Sequence, residues 1–376
     1  MGLKNEAQSA FEDTKTFYRE YVSGMSRKQL QKEYDQDTSR LRELYSEVID
    51  SIEYRQRTNG LQKFYKFFLS LTKRLNPIRR LVFGISCISF LAYYILGFIG
   101  ITGFLYPLLV PIAFGGMNIL LLIELLEKSD VKREIDLARE IQLSLLPSTE
   151  YKKGDLEICS FANTAKEVGG DYVDLIETPK GTYKIIADVS GKGLKAALYM
   201  VRMQALVHLI IEKSQPSPKE LFMELNDYVK SDVKDQTFVT ACAAFFPKDK
   251  QEMVFARAGH NPPIFFSNER DATFELRTDG FALGMTSSEM LQSHLKEKKF
   301  HFREGDTVFF YTDGLTESRN SFGEEYGTER LDSILSVYGS LHAGTIIKKV
   351  QSSLENFIGD EKPEDDITFT AVHRPK

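Results

Sequence analysis

With 376 residues, 48 basic against 53 acidic side chains and a net charge of −5, the chain has room for more than one domain and no global basic excess. That balance excludes a nucleic-acid binder built on bulk positive charge. Three cysteines, Cys87, Cys159 and Cys242, are odd in number and far apart, which argues against a disulfide framework or a cysteine zinc site and fits a reducing compartment.

Residues 1–80 are polar, charged and helical in pattern, and do not have the form of a signal peptide. Leu30, Tyr34, Leu41, Leu44, Val48 and Ile52 recur at helical steps and give one apolar stripe. Asn59-Gly60 ends that helix. Residues 61–75 then interleave Phe64, Phe67, Phe68 and Leu71 with Lys63, Lys66, Lys73 and Arg74. Such a helix either lies in a membrane interface or packs on a partner.

Residues 81–123 contain no Asp, Glu, Lys or Arg. One span needs about 20 apolar residues, so this run predicts two transmembrane helices, 81–99 and 104–123, joined at Gly100–Gly103. Basic residues flank both ends (Arg79 and Arg80 before, Lys128, Lys132 and Arg133 after), so both flanks are expected in the cytoplasm. Pro107, Pro111 and Gly115-Gly116 are expected to kink the second span. A multi-pass inner-membrane protein with a cytoplasmic C-terminal domain follows. The predicted domains are a helical region at 1–80, two spans within 81–124, a linker helix at 125–147 and a soluble domain at 150–376. The linker is read as the latter part of a helical pattern running over 121–146. It can carry a signal, pair with its copy in a homodimer or merely act as a spacer.

From residue 150 the texture is of short β-type runs and then helices. Strands are predicted at 156–163, 172–178, 182–189, 237–246, 252–258, 263–266, 307–311 and 367–372, and helices at 194–213, 218–233, 328–337 and 343–357. Hairpins first and helices afterwards indicate an α+β domain. Asp171 opens one run and Asp188 closes the next. An antiparallel pairing therefore brings both carboxylates to one end of a sheet. Two more acidic turns, at Asp313-Gly314 and Asp365-Asp366, adjoin later strands. Any one of these alone reads as a solvated turn. Four together suggest an oxygen-lined site for hard cations.

The motifs Ala138-Arg139-Glu140-Ile141-Gln142-Leu143-Ser144-Leu145-Leu146-Pro147, Val168-Gly169-Gly170-Asp171-Tyr172-Val173-Asp174, Ala187-Asp188-Val189-Ser190-Gly191-Lys192-Gly193, Phe238-Val239-Thr240, Ala258-Gly259-His260-Asn261-Pro262-Pro263, Thr312-Asp313-Gly314 and Asp365-Asp366-Ile367-Thr368 occur in this order. Residues 138–372 thereby resemble the metal-dependent PP2C-type serine/threonine phosphatases, in the bacterial branch of sporulation and stress-response sigma-factor regulators. The resemblance implies an α-β-β-α sandwich of two antiparallel sheets. It also implies two Mn²⁺ or Mg²⁺ ions held by Asp171, Asp188, Asp313, the Val189 carbonyl and Asp365 or Asp366. Asp171, Asp188 and Asp313 would carry catalysis. Ions so held would lower the pKa of a shared water for in-line attack on phosphorus. The implied substrate is a phosphorylated regulator such as an anti-sigma-factor antagonist. The implied linker switch pairs two copies through Ile135, Ile141 and Leu145. Lys192 stands where many relatives have His, and His260 reads as a structural loop residue. The rival reading is an inactive scaffold of the same fold that binds a partner.

Overall fold

The computed structural model describes residues 75–145, 150–231, 237–361 and 363–376, together with Tyr34, Thr38, Thr72 and Lys73. The stripe expected at 30–52, the break at Asn59-Gly60 and most of the basic aromatic helix lie outside the described residues. The chain divides into two compact units, Met1–Lys128 and Ser129–Lys376.

In the first unit, helix α1 (Pro77–Ile99) begins on a proline whose missing amide costs nothing at that position. It ends at Gly100, whose φ of 79° is the left-handed conformation of a helix stop. A 3₁₀ turn (Tyr106–Leu108) leads into helix α2 (Leu109–Leu145). Both helices are long and apolar enough to cross a membrane. Arg79, near the start of α1, donates from Nη1 to Glu127 Oε2 at 2.8 Å. At the far end Tyr93 stacks on Tyr106 with ring centroids 4.5 Å apart. In between, a Cβ on Gly116 would lie 2.1 Å from Ser86 Oγ, so small residues let the helices approach closely. These contacts make a hairpin with both its outer ends together. One expectation changes: the second span and the linker form one helix of 37 residues. Pro107 falls in the 3₁₀ turn and Pro111 in the first turn of α2. Neither interrupts a helical hydrogen bond, which removes the basis for a kink at either proline.

The second unit holds eleven strands among the described residues: β1 (Glu150–Lys153), β2 (Leu156–Asn163), β3 (Asp171–Thr178), β4 (Gly181–Val189), β5 (Val239–Pro247), β6 (Glu252–Ala258), β7 (Ile264–Ser267), β8 (Ala272–Glu275), β9 (Glu297–His301), β10 (Thr307–Tyr311) and β11 (Ile367–His373). They form two antiparallel sheets, ordered β1-β2-β11-β10-β7-β8 and β3-β4-β5-β6-β9. Alternating side chains serve two faces at once. Ile186, Cys242 and Phe255 of one sheet meet Ile158, Phe310 and Val372 of the other in a shared core.

The opposite faces take helices. Tyr172, Ile185 and Val239 pack beneath α3 (Leu194–Ser214) and α4 (Pro218–Ser231) through Met200, Val207, Leu221 and Leu225. Phe309, Phe369 and Ala371 pack beneath α7 (Gly327–Tyr338) and α8 (Ala343–Ile358) through Leu331, Leu335, Ile346 and Val350. Two short helices, α5 (Ser288–His294) and α6 (Asp313–Thr316), sit in connections. The result is the expected α-β-β-α sandwich. By length and composition α3 also qualifies as a span, but its buried Met200, Met203, Val207, Ile210 and Ile211 make it a core helix. Strands β1, β8 and β9 and helix α5 have no counterpart in the sequence reading. All three strands are sheet edges or extend to one, where polar residues are tolerated and period-two patterning fades.

Candidate metal centre

The site is built where strands of both sheets end. Asp171, first in β3, is the direct Cα partner of Asp188, next to last in β4. Asp313 follows β10 at the start of α6, and Asp365 and Asp366 precede β11, the antiparallel neighbour of β10. All five aspartates are partly exposed. The two later loops are pinned together. Thr312 donates its amide to Thr368 O at 2.9 Å, and the Thr368 amide reaches Thr312 Oγ1 at 3.1 Å. The same Thr312 hydroxyl donates to Asp171 Oδ2 at 2.9 Å, tying the first sheet to the second. Gly314 is required by close approach: a Cβ there would lie 2.0 Å from Asp366 O.

The two candidates at 365 and 366 have different partners. Asp366 Oδ1 accepts from Ala165 N at 2.9 Å, and Oδ2 accepts from Gly170 N at 2.7 Å. Both oxygens thus brace the loop that carries Asp171. Asp365 Oδ1 accepts from Asp366 N at 2.9 Å, while Oδ2 faces the Lys192 ammonium at 2.7 Å. Asp365 is therefore the member of the pair with an oxygen available for exchange, and Asp366 is the brace.

Burial raises every carboxylate whose shift is resolved here, and like charge adds to it at each. Burial, then the charges of Asp313, Asp365 and Asp366, push the Asp188 carboxyl up to about 7. Burial, then Asp188 and Asp366, hold Asp171 well above the usual carboxylate range, against hydrogen bonds from Thr368 and Thr312. Asp313 is raised by burial and then by Asp365. Asp366 is raised by burial, with the Ala165 and Gly170 amides opposing. The Lys192 ammonium is held above its ordinary value by its hydrogen bond to Asp365.

Among the described residues, no three acidic, imidazole or thiol groups form a ready-made coordination shell. The carboxylates are gathered but not closed, as repelling charges must be. The donor set is hard oxygen, and its charge calls for divalent cations; it fits magnesium or manganese and not zinc. Asp171, Asp188, Asp313 and Asp365 could hold them, with the Val189 carbonyl beside them: a Cβ on Gly170 would lie 3.0 Å from Val189 O and 3.5 Å from Asp188 Oδ1.

Other motif residues lie elsewhere. Asp174 is buried beneath α3, where it accepts from Tyr172 Oη at 2.8 Å and pairs with His208 Nε2 at 2.7 Å. His260 is buried against Thr240 Oγ1 at 2.8 Å, and burial lowers it to about 4, so it is neutral at neutral pH. Cys159 and Cys242 are buried thiols raised by that burial. Sequence reasoning gave Gln142 no role. It is buried on α2, its Nε2 donating to Gly169 O at 2.7 Å and its Oε1 accepting from Gly169 N at 3.1 Å. The face of α2 turned inward is Ile135, Ala138 and Gln142, while Leu137 and Ile141 are exposed, so Ile135 and Ile141 do not share the single seam expected of them. The side chain of Leu145 lies outside the described residues.

Residues 178–375, just over half of the chain, match the family model described as Stage II sporulation protein E (SpoIIE). This chain belongs to the SpoIIE family. It is 27% identical over 249 residues to phosphoserine phosphatase RsbU of Bacillus subtilis (strain 168), covering 66% of this chain and 72% of that one. Its fold is similar to the SiaA-PP2C domain of Pseudomonas aeruginosa (TM-score 0.57, 18% identity, 66% of this chain and 98% of that one). It is also similar to the PP2C phosphatase domain of SpoIIE from Bacillus subtilis with a fragment of its regulatory domain (TM-score 0.50, 15% identity, 61% and 65%). The fold is thus PP2C-like. The SpoIIE match begins after Asp171, so that residue enters the site through its pairing with Asp188 and not through the family model.

A pH dependence follows from Asp188. Folded, it keeps its proton to about 7; unfolded, it loses it near its ordinary 3.8. Its contribution to stability is therefore greatest below about pH 4 and is lost as pH rises towards 7. In chelator, the melting temperature of the wild type minus that of Asp188→Asn should fall across this window. A flat difference would show that neither burial nor the neighbouring carboxylates raise Asp188.

Proposed function

We propose that this chain is a membrane-anchored, metal-dependent protein serine/threonine phosphatase acting on a phosphorylated regulator, such as an anti-sigma-factor antagonist. The observation that carries the reading is the convergence of Asp171, Asp188, Asp313 and Asp365 at strand ends of both sheets in a SpoIIE-family chain. The naming of RsbU as a phosphoserine phosphatase supports the reaction class. When bound, two Mn²⁺ or Mg²⁺ ions would supply an activated water and offset charge on the phosphoryl oxygens. The protein's own part is positional. Asp171 and Asp188 are set side by side by the β3–β4 register. Asp313 and Asp365 are set opposite them by the Thr312–Thr368 clasp. Asp366 holds the Asp171 loop through two amides. The scaffold reading is weaker, because a partner-binding surface has no need to concentrate repelling carboxylates.

The hairpin of α1 and α2 would place both its flanks in the cytoplasm, with Gly100–Gly103 on the far side. The exposed Leu137 and Ile141 give α2 an apolar face suited to a second copy, and Gln142 gives it a direct hold on the loop before Asp171. Through that hold, pairing of two linkers could bias the site.

Three outcomes test this. Phosphate release from a phosphoserine protein should require Mn²⁺ or Mg²⁺, stop in chelator and be abolished in Asp188→Asn and Asp313→Asn; turnover surviving these changes sinks the reaction. An impermeant thiol reagent on intact cells should label a cysteine placed at Thr102 and spare one at Asn59 or Ser148; the reverse pattern refutes the topology. Gln142→Leu, which removes two hydrogen bonds worth about 1 kcal/mol each, should raise the Mn²⁺ concentration for half-maximal activity by roughly tenfold or more, while Ile141→Asp should lower both activity and self-association. Wild-type behaviour in both variants would make the helix a passive tether.

A further inference from the structure

Among the carboxylates of the site stands one ammonium group whose place is specific. Lys192 lies between Gly191 (φ 105°) and Gly193 (φ 79°), backbone conformations that glycine adopts without strain. Gly193 is the N-cap residue of the 21-residue helix α3, so the loop carrying Lys192 is anchored on a rigid element. Its Nζ lies 2.7 Å from Asp365 Oδ2 and donates to the backbone carbonyl of Glu364 at 2.9 Å. Asp188 and Asp313 also feel its charge. The Lys192 and Asp365 side chains are 46% and 44% exposed, so the pair sits at the mouth of the site and not in its floor.

The oxygen that Lys192 occupies is the one that Asp365 has available, since Oδ1 is engaged by the Asp366 amide. An ammonium and a divalent cation held on the same carboxylate oxygen are like charges in near contact, and their repulsion sets them in competition for it. Resting on the reading of Asp365 as a ligand, we propose that Lys192 is a built-in competitor for the cation held at Asp365, which must displace the Lys192 ammonium to bind. Lys192 thereby weakens that position most, reaches Asp188 and Asp313 only through its charge, and does not act on Asp171. Loss of the Asp365 contact frees the ammonium at the mouth of the site, on a four-carbon stem that can reach outward.

The test uses the full chain in detergent micelles and reads binding, not turnover. Calorimetric titration with Mn²⁺ should show Lys192→Met and Lys192→Gln binding about two- to fivefold tighter than the wild type, the range of a partly exposed ion pair. Lys166→Met is the control for diffuse charge, because the Lys166 side chain passes 3.9 Å from the position of a Cβ on Gly193. It should have a smaller effect. Acetylation of lysines, quantified by mass spectrometry, should show Lys192 labelling rise about twofold or more on adding Mn²⁺. In Asp365→Asn it should be high from the start. The proposal is overturned if Mn²⁺ binds the wild type and both Lys192 variants alike, if Lys166→Met tightens binding as much, or if bound Mn²⁺ leaves Lys192 labelling unchanged. Failure of the wild type to bind Mn²⁺ at all would instead remove the metal reading of the site, and this inference with it.

Discussion

Repulsion among five aspartates is the constraint around which one end of the catalytic unit is arranged. Unopposed, carboxylates so close would take up protons or move apart. The surrounding groups oppose that pressure in different ways. Thr312 gives a hydroxyl hydrogen to Asp171. Ala165 and Gly170 give amides to Asp366. Lys192 gives a full charge to Asp365. These donors offset the pressure only in part: Asp171 stays well above the usual carboxylate range and the Asp188 carboxyl is pushed to about 7. The remaining imbalance is what divalent cations, as proposed for this site, would offset.

The sandwich holds these charges together because its strands are locked from both sides. Register places Asp171 opposite Asp188 across β3 and β4. A slip of one residue in β3 would turn Asp171 to the opposite face and Tyr172 away from α3, and a slip in β4 would do the same to Asp188 and Ile185. Core packing and site geometry are therefore the same constraint read at two scales. In the second sheet the stacking of Phe309 on Phe369 fixes β10 against β11 just behind Asp313 and Asp365.

Much of this was legible in the residues. The acidic turns marked the strand ends, and apolar runs bounded by Gly and Pro marked β2, β6 and β10 to the residue. The uncharged run at 81–123 gave both membrane-length helices. Edge strands were not legible. β9, Glu297-Lys298-Lys299-Phe300-His301, carries charges that protect an open edge and erase the apolar signal. The different surroundings of Asp365 and Asp366 could not be read from adjacent identical residues, because they arise from distant partners: Lys192 at Asp365, and the amides of Ala165 and Gly170 at Asp366. Gln142 left a faint trace: a polar residue seven positions after Ile135, on the stripe that an apolar helix face would occupy.

The contact between Gln142 and Gly169 has a further consequence. A carboxamide that meets a backbone N–H and C=O forms the pattern of one strand meeting another, carried on a side chain. It has no net charge and is buried, so neither ionic strength nor pH within the physiological range weakens it. The Arg79–Glu127 pair at the open end of the α1–α2 hairpin is different, because its strength follows the salt around it. Information arriving along α2 would thus reach the aspartates through a link insensitive to the cell's ionic weather, leaving the hairpin end as the place where that weather is felt.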